Sequence, residues 1–106
     1  MRINKRIDRY LITSHSGVPT TQVSILLYDD NNAQIGHIIY RPDDQDLPEN
    51  RITQTGVVFL YKHSSYAPVD IDILRNEKPL FIQYNDNTKF GFIVTSAEPV
   101  GEEELL

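Results

Sequence analysis

Three histidines and one acidic stretch are the residues of this chain whose types suit metal chemistry. Imidazoles brought from three strands can hold zinc and leave a fourth position for water. His15, His37 and His63 show no H-x-x-H or H-E-x-x-H spacing, so the fold alone would have to assemble such a site. Pro42 to Asn50 offers the carboxylates Asp43, Asp44, Asp46 and Glu49 with the Asn50 amide. Calcium takes six to eight oxygens in a pre-bent loop, and this loop has no glycine of the EF-hand kind. The metal candidates are therefore His15, His37, His63, Asp43, Asp44 and Asp46. The expectation is that no metal and no cofactor is used.

Other reaction chemistry finds less support. The chain has no cysteine, which excludes thiolate nucleophiles, zinc–thiolate sites, iron–sulfur clusters and disulfides. Ser14-His15-Ser16 and His63-Ser64-Ser65 place serine beside histidine, but neighbours on a strand face opposite ways. No G-x-S-x-G elbow is present, and the five glycines are scattered singly, with no phosphate-cradling motif. Asp70 and Asp72 share a face on a strand and diverge on a helix, and paired carboxylates act only across a cleft. The sequence weighs against an enzyme.

Binding chemistry is the alternative. Six tyrosines occur in 106 residues, and exposed tyrosine beside arginine suits the stacking of unpaired bases. Arg6, Arg9 and Tyr10, with Tyr40 and Arg41, are the pairings of that kind. The net charge is −5, from ten basic and fifteen acidic residues. The basic residues Arg2, Lys5, Arg6 and Arg9 crowd the start, which is a local exception to an acidic field that repels phosphate and anionic lipid.

Side chains on different segments have to be positioned by strands, because the dominant apolar period is two. Val23, Ile25 and Leu27 alternate with Ser24 and Leu26. Similar alternation runs through residues 35–41, 56–61, 80–84 and 89–94, all rich in β-branched and aromatic types. A further strand is expected from about Arg6 to Thr13. Asp29-Asp30-Asn31-Asn32 and Asn85-Asp86-Asn87-Thr88 are turn formers, which predicts hairpins pairing 22–29 with 33–41 and 79–84 with 89–95. Ser16-Gly17-Val18-Pro19 predicts a turn, and Gly36 and Gly91 inside strands predict bulges or sharp bends. Residues 66–76 read as a short helix, with Tyr66, Val69, Ile73 and Leu74 on one face, Ser64 or Ser65 as cap and Pro68 in the first turn.

The expected fold is mainly β: a small antiparallel β-barrel or β-roll of about six strands with one short helix at about 66–76. The alternative is a β-sandwich with 66–76 as a further strand. Residues 1–97 are expected to form one β-rich domain and 98–106 an acidic, flexible tail. No apolar run reaches the length of a spanning helix, so no membrane partner is expected and the cytoplasm is the simplest location. The function expected is a non-catalytic protein-interaction or self-association module, with the strand at 22–28, apolar on both faces, under a protein contact. The alternatives are an OB-like single-strand nucleic-acid binder using Arg6, Arg9, Tyr10, Tyr40 and Arg41, or a small metal-dependent enzyme using the three histidines.

Overall fold

The computed structural model describes residues 1–17 and 22–97. The acidic segment 98–106 lies outside the described residues, as does most of the turn expected at 16–19. The described residues form eight strands: β1 (Arg2–Ile7), β2 (Arg9–His15), β3 (Gln22–Tyr28), β4 (Gln34–Arg41), β5 (Arg51–Ile52), β6 (Val58–His63), β7 (Leu80–Asn85) and β8 (Phe90–Thr95). One helix, α1 (Ala67–Asn76), follows a single 3-10 turn at Ser64–Tyr66. The strands make two sheets, one in the order β1-β7-β8 and one in the order β2-β3-β4-β6-β5. The chain is mainly β, and the sheets do not close into a barrel.

Both hairpins form where the turn chemistry requires them. The Asp29 carboxylate accepts the Asn31 and Ala33 amides at 2.9 Å each, and Asn32 takes a positive φ of 64°, which asparagine tolerates better than most residues. The register then pairs Ile25 with Ile38 and Leu27 with Gly36, and Ile82 with Ile93 across the second hairpin.

Two features depart from the all-antiparallel, six-stranded reading. The strand expected over Arg6 to Thr13 is two strands in different sheets, with the break at Asp8, whose amide donates to the Tyr28 carbonyl at 2.8 Å. The cause is a change of parity. In β1 the exposed residues are Arg2, Asn4 and Arg6, while Ile7 is buried and Ile3 packs on the core. In β2 the residue on the core is Tyr10. A strand alternates strictly, so a shift from odd to even inward positions requires the chain to kink. Second, β4 and β6 are parallel, pairing Gly36 with Val58 and Arg41 with His63. The loop expected at 42–50 carries the chain back to the start of β4, and β5 lies antiparallel on the far side of β6.

The helix forms over the expected residues but is turned from the expected face. Its buried residues are Ala67, Asp70 and Leu74, whereas Tyr66 and Val69 are more than half exposed. The capping position is Tyr66, which makes no side-chain cap bond. Ser64 instead donates to the Arg41 carbonyl at 2.9 Å, and the Ser65 amide donates to Asp43 at 3.1 Å. Both serines thus tie the helix start to the end of β4 rather than cap it.

Ile25, Leu27, Ile38, Val58, Leu60 and Ile82 fill the space between the sheets, each at most 1 % exposed. Gly36 borders a shift of register, since Leu27 pairs with Gly36 but Tyr28 with Gln34, which agrees with the bulge expected there. Neither Gly36 nor Gly91 marks a barrel bend, and both lie where the two sheets are in close contact. A methyl at Gly36 would stand 2.7 Å from Ile82 Cδ1 in the other sheet, and one at Gly91 only 2.5 Å from Leu60 Cδ2. Gly91→Ala is therefore expected to destabilise the protein by about 1–3 kcal/mol through overpacking. Urea titration followed by circular dichroism checks this; an unchanged midpoint contradicts the packing.

Candidate functional site

A buried polar cluster joins the helix to the larger sheet. The Tyr40 hydroxyl donates to Asp70 Oδ2 at 2.5 Å, and Lys62 Nζ lies 2.9 and 3.0 Å from the two Asp70 oxygens. Tyr40 and Asp70 are 1 % and 2 % exposed, so no substrate reaches either. Burial pushes the Tyr40 hydroxyl far above its ordinary pKa, and the Asp70 hydrogen bond and charge push it further. A phenol held so firmly protonated is no nucleophile. The Lys62 ammonium also lies 5.9 Å from the Tyr66 ring centroid, where a cation is attracted to the π face. The cluster is a fastening. It removes Tyr40 from the expected stacking surface, because that ring points into the core.

All three histidines fall on the outward face of the five-stranded sheet, yet they stay apart. His63 is paired in register with Arg41, four residues along β4 from His37, a separation of about 13 Å at 3.3 Å per residue. His15, at the end of β2, pairs with Gln22. His63 Nε2 is 2.9 Å from the Gln45 carbonyl, and the His37 ring rests against Phe59 at 5.2 Å. Asp43 accepts from the Ser65 amide, while Asp44 and Asp46 are exposed. Among the described residues no three of the metal-binding types are grouped to hold an ion.

Burial holds the His37 imidazole below its ordinary pKa of 6.5. The unfolded chain therefore binds this proton more tightly than the folded one, so stability rises with pH towards 6.5 and is lost as pH falls below it. The denaturation midpoint is expected to fall between about pH 7 and pH 5, and to fall less in His37→Gln. Identical pH profiles in the two proteins contradict the assignment.

The outward face of this sheet has a consistent chemistry. One row across the strands reads Leu11, Leu26, His37, Phe59 and Arg51, and the next reads Thr13, Ser24, Ile39 and Tyr61. The Arg51 guanidinium lies 4.1 Å from the Phe59 ring centroid and that of Arg41 6.0 Å from Tyr61. Thr13 and Ser24 share a hydroxyl bond at 2.7 Å. None of the eight strands contains an aspartate or glutamate. Of the expected binding set, Arg9 and Arg41 lie on this face, Tyr10 packs inward against the core, Tyr40 is buried, and Arg6 belongs to the other sheet. The structure does not bring the five together.

The feature least provided for in the sequence reading is the free edge of β2. Among the described residues this strand ends the larger sheet, and its central run Tyr10-Leu11-Ile12-Thr13-Ser14 has neither charge nor proline. Leu11 is 49 % and Ile12 40 % exposed, and adjacent residues of a strand lie on opposite faces. Two of the other three edges differ: β1 carries Arg2, Lys5 and Arg6, and β5 is only two residues long, both devices that discourage strand addition. The fourth edge, β8, is also uncharged, but of its large apolar residues only Phe90 is exposed, whereas β2 exposes two neighbours on opposite faces. Two adjacent apolar residues in a strand were the available signal, and the single-strand reading of Arg6 to Thr13 concealed that their strand ends a sheet.

No helix of the described residues is long and apolar enough to cross a membrane. Comparison with protein-family models, with curated proteins and with solved structures finds no match.

Proposed function

We propose that this chain is a non-catalytic self-association module whose docking element is the free edge of β2. The observation that supports it is the uncharged centre of that edge, with Leu11 and Ile12 exposed beside a row of backbone donors and acceptors that no described strand pairs. Strand addition satisfies that row and covers both side chains at once. A second copy is the simplest occupant, because two β2 strands related by a two-fold axis pair antiparallel and make an isologous contact. The strand at 22–28, expected to lie under a protein contact, is central in the sheet, and the contact moves one strand outward to β2. A cysteine-free chain of this kind fits the reducing cytoplasm.

The pairing is weak by design of its size. One strand of seven residues covers less than the roughly 1,200 Å² of a stable interface, so a dissociation constant of about micromolar or above is expected. Sedimentation equilibrium over a wide concentration range tests it. A reversible monomer–dimer equilibrium supports the reading, and a strict monomer at millimolar concentration contradicts it.

A further inference from the structure

The smaller sheet presents a second surface that self-association through β2 leaves open. Its outward residues are Arg2, Asn4 and Arg6 from β1, opposite Asn85, Gln83 and Phe81 of β7. These in turn face Phe90, Phe92 and Val94 of β8. Phe90 is 64 % exposed, and its ring meets that of Phe92 at 5.4 Å with the planes tilted by 51°. A hollow of about 390 Å³ runs along this face, bordered by Arg2, Asn4, Gln83, Asn85, Phe90 and Phe92.

Water does not favour a bare phenylalanine, and nothing in the core needs Phe90 where it stands. Two adjacent rings on a sheet are what unpaired bases stack upon. Asn4 and Gln83 lie opposite each other, and their amides each carry donor and acceptor groups able to meet a base edge. Arg2 and Arg6 line the far side, with no carboxylate in any of the three strands. The Asp86 carboxylate in the adjoining turn is paired with Lys89 at 3.0 Å, which removes much of its repulsion of a phosphate. Rows on one strand face are about 6.6 Å apart, so three strands offer room for two or three nucleotides.

From this juxtaposition of two tilted rings in contact, facing amides and the arginines of β1 we infer that the outer face of the β1-β7-β8 sheet binds single-stranded nucleic acid. Single strands are favoured over duplex because the surface is a shallow platform and no helix is presented to a groove. The surface differs from the one expected from the sequence: only Arg6 is common to both.

Fluorescence anisotropy with a labelled short oligothymidylate at low salt tests the inference. Binding is expected, with weaker binding to a blunt duplex of equal length. Phe90→Ala and Phe92→Ala are each expected to weaken it by roughly tenfold or more, the usual loss when one stacking ring is removed. Arg2→Ala is expected to reduce the salt slope by about 0.7. Because Phe90 is exposed, its variant folds, and an unchanged circular dichroism spectrum verifies that. No binding at low salt overturns the inference. So does binding that heparin matches and that Phe90→Ala leaves untouched, since charge alone then accounts for it. A change of oligomeric state on Phe90→Ala without loss of oligonucleotide assigns the face to a protein and overturns it equally. None of these outcomes depends on β2.

Discussion

Asp70→Ala is expected to lower the stability of the protein by roughly 3 kcal/mol, a large share of the 5–15 kcal/mol typical of a small domain. The loss comes from what is left behind. The Tyr40 hydroxyl remains buried with no acceptor, while Lys62, its side chain 26 % exposed, swings towards water. That escape places the value at the lower end of the 3–5 kcal/mol found when a buried pair is broken. Tyr40→Phe is expected to cost only about 1 kcal/mol, because Asp70 keeps both bonds to Lys62. Replacing all three by Phe, Met and Leu removes every polar group together and is expected to restore most of the stability. Urea titration of the three variants gives this order. Asp70→Ala within about 1 kcal/mol of the parent protein contradicts the cluster as the fastening between helix and sheet.

Ile12→Lys is expected to weaken self-association by a hundredfold or more. The position is 40 % exposed, so the folded monomer tolerates lysine. In a two-fold pair of β2 strands, two ammonium groups are brought near each other and partly desolvated, a cost of about 3 kcal/mol. An inward charge on an edge strand is also the device by which natural sheets prevent such pairing. Val69→Lys is the control, since Val69 is 53 % exposed but lies on the helix. Sedimentation velocity separates the cases: Ile12→Lys becomes a monomer at concentrations where the parent and Val69→Lys are dimers. Equal dissociation by both lysines indicates general apolar adhesion and contradicts the edge.

The strands and turns were legible because their causes are local. Asp29 closes its own hairpin through bonds reaching only four residues, and alternation in 22–28 states which side chains face inward. Strand order is not local. Nothing in the alternation of β4 or β6 records that they run parallel, and the turn-rich stretch between them is silent about how far it carries the chain. The inward face of the helix was read from its apolar residues, which put Val69 inside and left Asp70 off that face. The reverse holds because Tyr40, thirty residues earlier, offers a hydroxyl that makes burial of a carboxylate acceptable. Histidine contacts also depended on register, which placed three imidazoles on one face and separated them. The Asp8 break was readable in principle, as the change of parity between Ile7 and Tyr10.

Hydrogen–deuterium exchange of the β2 amides at low and high protein concentration tests the central claim most directly. Those not bonded to β3 face open water in the monomer and a partner strand in the dimer. The account requires their exchange to slow as concentration rises, with β1 and β8 unchanged and with no slowing in Ile12→Lys. Exchange at β2 that is the same at every concentration contradicts it.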